Sequence, residues 1–284
     1  MSNLVSYLFE TNALRICPDN KPFWYTSGKI GPYYINTHFL YGSEQDAVNL
    51  LKFIDSEKEN KETLPKKVFK ETFNHYNENE IYKNVINEMI AFIKENINVD
   101  EIDYISGGER RDWFFSNIIA NLLSKPHITI YKDLSMVVTD STFEKELNKS
   151  EVKGAKVLHI ADLITEASSY IRAWIPAIKS LEAEIAWSTV VVDRMQGGKE
   201  KLENENVKSL SMINIDTSLF EKALSMDIIN ETQFEMLKNF YENPDETMRN
   251  FLVAHPEFLE NALASDEKTA ARAKLCIDSN LYNL

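Results

Sequence analysis

Between residues 102 and 216 the chain alternates short apolar runs with amphipathic stretches, and this alternation limits the fold more than any other feature. Residues 102–105, 127–131, 156–161, 184–192 and 207–215 read as strands, because each is short and rich in Ile and Val or tightly alternating. A helix expected to open at Glu109 places Trp113, Phe114, Ile118, Ile119, Leu122 and Leu123 at helical spacing, and 167–181 reads as another. Strands separated by helices need crossover connections, which predicts an α/β fold with a mainly parallel sheet flanked by helices. Ligands of such sheets bind beyond the carboxyl ends of the strands. That rule puts 106–111, 132–133, 162–169 and 193–198 along one rim.

The flanks have a different texture. Residues 2–15 read as a short helix, and FWYTSGKIGPYYIN (23–36) as two short strands joined by a turn at Ser27-Gly28-Lys29. From 43 to 99 the chain is charged and helical, with Leu50, Leu51 and Ile54, then Val85, Ile86, Met89, Ile90 and Ile93, at helical spacing. Residues 132–154 are polar without strong periodicity and predict an exposed excursion. Residues 217–284 are wholly helical, broken at Pro244 and Pro256. The expected organisation is a domain over 1–216, with an N-terminal segment at about 1–40 and added helices at about 41–100, then a helical extension over 217–284.

Charge and composition exclude several classes. Lys and Arg number 31 against 44 Asp and Glu, a net charge of −13. So acidic a chain is poorly suited to a nucleic-acid backbone, where cations release counterions and supply affinity. No apolar run approaches the ~18 residues of a membrane span, and the start lacks a basic stretch with a small-residue cleavage site. Cys17 and Cys276 have no metal or redox spacing, and five scattered histidines form no ligand set. The expectation is a cytoplasmic protein with neither membrane nor nucleic-acid partners and no protein-held metal site. Only eight glycines occur, and six form the groups Gly28/Gly31, Gly107/Gly108 and Gly197/Gly198. Such clusters mark special backbone angles or close approach, and tight turns are the plainer reading.

The segment VLHIADLITEASSY (157–170) carries the most chemistry. A buried strand leads to Asp162, and hydroxyl-bearing Thr165, Ser168 and Ser169 lead into a helix. Hydroxyls and free amides at a helix N-terminus make an anion site, and a carboxylate beside it accepts from sugar hydroxyls. An Asp at a strand end and a Ser at a helix cap are also ordinary structural features.

This segment resembles the phosphoribosyl pyrophosphate (PRPP) motif of type I phosphoribosyltransferases. Three further segments are similar, in order, to the orotate phosphoribosyltransferase branch. They are the Ser-Gly-Lys turn and Pro-Tyr pair of FWYTSGKIGPYYIN, a family hood; the strand–loop–helix–strand of ISGGERRDWFFSNIIANLLSKPHITIYKD; and the Asp-Arg-x-x-Gly-Gly of VVVDRMQGGKE. The resemblance implies a type I phosphoribosyltransferase-like fold with an N-terminal hood and added helical regions.

By resemblance the amides of Gly107, Gly108 and Glu109 hold the leaving pyrophosphate, with Lys132 beside it. Asp162 holds a ribose hydroxyl; Thr165, Ser168 and Ser169 hold the 5′-phosphate. Arg194 contacts a carboxylate of the base, and Lys29 and Tyr34 sit near PRPP and the base. The resemblance also implies Mg²⁺ bound with PRPP, an orotate-like base as the other substrate, and a homodimer. The family's first acid is Ala161 here, its Thr-Gly pair is Glu166-Ala167, and the lysine after Lys132 is Asp133. Three readings stay open: an orotate-type phosphoribosyltransferase, an enzyme with an altered donor or acceptor, and a catalytically degenerate protein that binds a nucleotide or regulates a partner.

Overall fold

The computed structural model describes residues 3–18 and 21–284. The expected helix start at residue 2, and hood positions Asp19 and Asn20, lie outside the described residues. Helix α1 (Leu4–Glu10) precedes four short strands, β1 (Leu14–Ile16), β2 (Phe23–Trp24), β3 (Ile30–Gly31) and β4 (Tyr33–Ile35). Helices α2 (Glu44–Glu57), α3 (Leu64–Glu78) and α4 (Glu80–Asn96) follow. The middle holds β5 (Tyr104–Gly108), α5 (Trp113–Leu122), β6 (His127–Ile130), β7 (Met136–Thr139) and β8 (Lys156–Ile164). It continues through α6 (Ile175–Ser180), β9 (Glu184–Asp193), α7 (Gly198–Asn204) and β10 (Lys208–Asn214). The chain finishes with α8 (Thr217–Ser225), α9 (Glu231–Glu242), α10 (Pro244–Ala254), α11 (Glu257–Leu263) and α12 (Glu267–Asp278). No helix among the described residues is long and apolar enough to cross a membrane.

Two compact units interleave in sequence: Met1–Asn12 with Thr37–Ile215, and Ala13–Asn36 with Asp216–Leu284. The hood strands, read from sequence with the sheet domain, thus cluster with the C-terminal helices.

The first unit is built on a six-stranded sheet of order β10-β9-β8-β5-β6-β7. Neighbours are parallel throughout except β6 and β7, which is the α/β class the alternation predicts. Ile105, Leu158, Ile160, Val190 and Val191 from the strands are fully buried, as are Ile118 and Ile119 of α5. Strand β7 corrects the expectation of an exposed excursion over 132–154. Its four residues are buried against β6, and a tight turn with Leu134 at φ +67° closes the hairpin. A strand this short, flanked by polar residues, leaves no periodicity to read. Helix α5 likewise opens at Trp113 rather than Glu109, because 109–112 form a turn.

The added helices start where capping side chains stand: Ser43 Oγ accepts the Asp46 amide at 3.0 Å, and Asn79 Oδ1 that of Tyr82 at 2.9 Å. Their apolar faces are buried. Tyr82 is fully enclosed and its hydroxyl donates to the Phe114 carbonyl of α5. Tyr41 packs edge-on against Tyr82 and Phe114 and stacks on His75 at 4.0 Å.

In the second unit β1 pairs with β4 and β2 with β3, both antiparallel. Gly28, at φ +81°, takes the turn between β2 and β3. A small core joins Ile30 to Met248, Leu252, Cys276 and Tyr282. The Tyr282 hydroxyl accepts the Ile30 amide at 2.9 Å, and Trp24 stacks on Phe258 at 5.6 Å. These contacts explain why the hood hairpins group with the terminal helices.

Tyr82→Phe should remove its buried hydrogen bond, leaving the Phe114 carbonyl only its intrahelical partner, and lower unfolding stability by about 1 kcal/mol. Urea titration followed by circular dichroism reads this directly; an unshifted midpoint would show that the hydroxyl does not tie α4 to α5.

Candidate functional site

Parallel strands β5, β6 and β8 end on one side of the sheet, and the segments following them line a cavity of about 620 Å³. Of the residues singled out from sequence, Glu109, Lys132, Asp162, Thr165, Ser168 and Ser169 line it together. Arg110, Arg111, Asp112, Glu166, Tyr170 and Trp174 join them. Strand β8 runs past Asp162 to Ile164, so the carboxylate sits within the strand and is nearly buried. Thr165 and Glu166 form the bend, and a helical segment over 168–180 follows, with a π turn at Tyr170–Trp174.

Gly107 and Gly108 are strand residues, and close packing explains both. A Cβ on Gly107 would come within 2.2 Å of Ser116 Oγ, and one on Gly108 within 2.3 Å of the Trp174 ring. Their amides are not offered as a free pair to an anion. The Gly108 N–H donates to Asp112 Oδ2 at 3.0 Å and the Glu109 N–H to the Ile130 carbonyl at 2.8 Å. The Glu109 carboxylate instead accepts the Lys132 amide at 2.9 Å, fixing the basic residue at the end of β6.

Asp112 was not singled out from sequence. Its Oδ1 accepts the Asp162 amide at 3.1 Å, so one side chain bridges the ends of β5 and β8. Behind it His159 is fully buried, with Nε2 3.5 Å from Asp112 Oδ2 and Nδ1 2.9 Å from Ser106 Oγ. The ring is thus satisfied at Nδ1, while Nε2 faces a cavity carboxylate. The only available signal was position: four residues beyond Gly108 and one before Trp113, residue 112 stands at the head of a helix. Burial, and then the charge of Asp112, push the Asp162 carboxyl up to about 7, with Arg111 acting in the opposite direction.

The charges that depart from the family pattern are engaged elsewhere. Asp133 pairs with Lys61 and accepts the Ser135 hydroxyl at 2.6 Å, which holds its carboxyl well below the usual range. Glu166 is exposed and 3.3 Å from Lys201. Arg110 turns to Asp55. Ala167 adopts φ +55°, a left-handed conformation in which glycine is the unstrained residue. Arg194 follows β9, and its amide donates to the carbonyl of cavity-lining Ile164 at 3.0 Å. Lys29 and Tyr34 belong to the second unit. There the Lys29 ammonium is 2.7 Å from Asp245, and Tyr34 lies in β4 with the Arg15 guanidinium 5.7 Å from its ring centre.

The raised Asp162 pKa has a stability consequence with a definite sign. The folded state holds this proton up to about pH 7, whereas the ordinary value is 3.8. Stability contributed by the group is therefore present at low pH and declines as pH rises between those values. Asp162→Asn should raise the melting temperature at pH 8 and change it little at pH 4. Equal shifts at both pH values in scanning calorimetry would refute the assignment.

No protein-family model matches the chain. It is 27% identical over 218 residues to a protein named orotate phosphoribosyltransferase from Sulfurisphaera tokodaii, covering 77% of this chain and 88% of that one. The crystal structure of orotate phosphoribosyltransferase from Francisella tularensis is similar with a TM-score of 0.52 at 16% identity, covering 84% of this chain and 96% of the other. UMP synthase of Leishmania donovani is similar with a TM-score of 0.55 at 17% identity, covering 85% of this chain and 42% of that longer one.

Proposed function

We propose, for a chain that is orotate phosphoribosyltransferase-like in sequence and of type I phosphoribosyltransferase fold, that it transfers ribose 5-phosphate from PRPP to an orotate-like base and releases pyrophosphate. The observation that carries the reading is the cavity at the strand ends. There Asp162, the hydroxyls of Thr165, Ser168 and Ser169, and the cations Arg111 and Lys132 line one space.

The chemistry needs positioning and charge more than covalent help. As the bond between the ribose anomeric carbon and the pyrophosphate oxygen breaks, negative charge grows on the pyrophosphate and positive charge on the sugar. A base nitrogen then forms the new bond to that carbon. Lys132, held by Glu109 through its amide, and Arg111 face the departing charge. A cation about 4 Å from a phosphate oxygen near a protein surface gains about 4 kcal/mol at an effective dielectric of 20. With Asp133 paired to Lys61, its charge does not cancel that gain. The 5′-phosphate takes the hydroxyls and helix start at Thr165, Ser168 and Ser169, and Asp162 takes a ribose hydroxyl. Arg194 would hold the base carboxylate, for which a planar guanidinium fork is well matched.

Mg²⁺ fits this donor set. Carboxylate oxygens line the cavity, and Mg²⁺ accepts one or two carboxylates together with substrate phosphates. Among the described residues no group of three or more His, Cys, Asp or Glu is arranged to hold a metal. Asp162 is the residue that would face it, and the ion would supply charge neutralisation to the leaving group. A cytoplasmic homodimer acting on small molecules completes the proposal.

Calorimetric titration of the full chain with PRPP and Mg²⁺, then with orotate, tests the reading. Binding of both is expected, and no heat from PRPP would overturn it in favour of a degenerate binding protein. Lys132→Ala should weaken pyrophosphate at least tenfold and ribose 5-phosphate by less than twofold. Equal losses for both ligands would remove Lys132 from the pyrophosphate end.

A further inference from the structure

The donor site, read as above, is one carboxylate short, because the buried methyl of Ala161 stands where the family has its first acid. A second carboxylate nevertheless lines the cavity: Asp112, which arrives from the turn before α5. Both of its oxygens are oriented by backbone donors, Oδ2 by Gly108 at 3.0 Å and Oδ1 by Asp162 at 3.1 Å. A carboxylate has about four lone-pair sites, so two remain for other donors. His159 backs this group from the protein interior. It is fully buried, its Nε2 has no hydrogen-bond partner, and that atom points at Asp112 Oδ2 from 3.5 Å. An unpartnered buried nitrogen costs free energy, and this one is aimed at a cavity carboxylate. Two carboxylates lining one cavity, Asp112 and Asp162, offer acceptor oxygens to the paired hydroxyls of a ribose.

We propose that Asp112 is the second carboxylate of the ribose subsite, doing from the head of α5 what the family does from the position of Ala161. The proposal rests on the PRPP reading, and the ligands below separate the two.

The full chain would be titrated with ribose 5-phosphate, 2-deoxyribose 5-phosphate and inorganic phosphate, with thermal melts of every variant. The wild type should favour ribose 5-phosphate over its 2-deoxy analogue at least fivefold. Asp112→Ala should weaken ribose 5-phosphate at least tenfold, or about 1.4 kcal/mol, and bring the two sugars within twofold of each other. Inorganic phosphate should stay within twofold, a result that general damage to the fold would not give. Asp112→Asn keeps the side-chain volume and one acceptor, and should fall between. A folded variant with an undiminished sugar preference would overturn the proposal. So would a wild type that binds phosphate but does not distinguish the two sugars, a result that needs no variant. A wild type that binds none of the three ligands nor PRPP would overturn the donor reading and this proposal together.

Discussion

Two hydrogen bonds to one carboxylate fix the floor of the cavity. Asp112 receives the amides of Gly108 and Asp162, and so ties the end of β5 to the neighbouring β8 just where sheet pairing gives out. Each of those amides is buried, and an unmet buried donor costs about 1–3 kcal/mol. Other groups pack around this tie. Gly108 has no side chain, so the Trp174 ring can close over the strand end, and the Trp113 indole donates to the Gly107 carbonyl at 3.0 Å. Ser106 fixes His159, and His159 faces Asp112. A strand-end geometry that would otherwise fray is held by side chains on both sides of the sheet.

Charge is then sorted around that floor. Two residues that depart from the family pattern have a cation beside them, and Arg110 has an anion. Asp133 goes to Lys61, Glu166 to Lys201, and Arg110 to Asp55. Exposed pairs of this kind add little stability. Their effect is orientation: each sets where a charge points, and Lys132 and Arg111 line the cavity. Lys201, 3.3 Å from Glu166, offsets part of the negative charge that this residue brings to the cavity lining.

The hood is governed by different physics. Its hairpins are only two or three residues a side, too short to be stable alone. They gain their burial from the C-terminal helices through Ile30, Trp24, Tyr282 and Phe258. The helical extension is therefore part of what folds the N-terminal strands rather than an appendage.

The sequence alone determined the α/β class, five of the sheet's six strands, and six cavity-lining residues. It could do so because strand and helix periodicity, and hydroxyls following a strand, are local patterns. It did not determine β7, whose four buried residues leave no period, nor the grouping of 13–36 with 216–284, which depends on contacts more than 200 residues apart. Nor could it find Asp112. An aspartate at a helix head is common, and only the approach of β5 to β8 turns that residue into a bridge between two strand ends. The direction of Glu166 and Asp133 was likewise undecided until Lys201 and Lys61 were brought beside them. Pairing across the fold has no signature in the spacing of residues, because the partners meet only after the chain has packed.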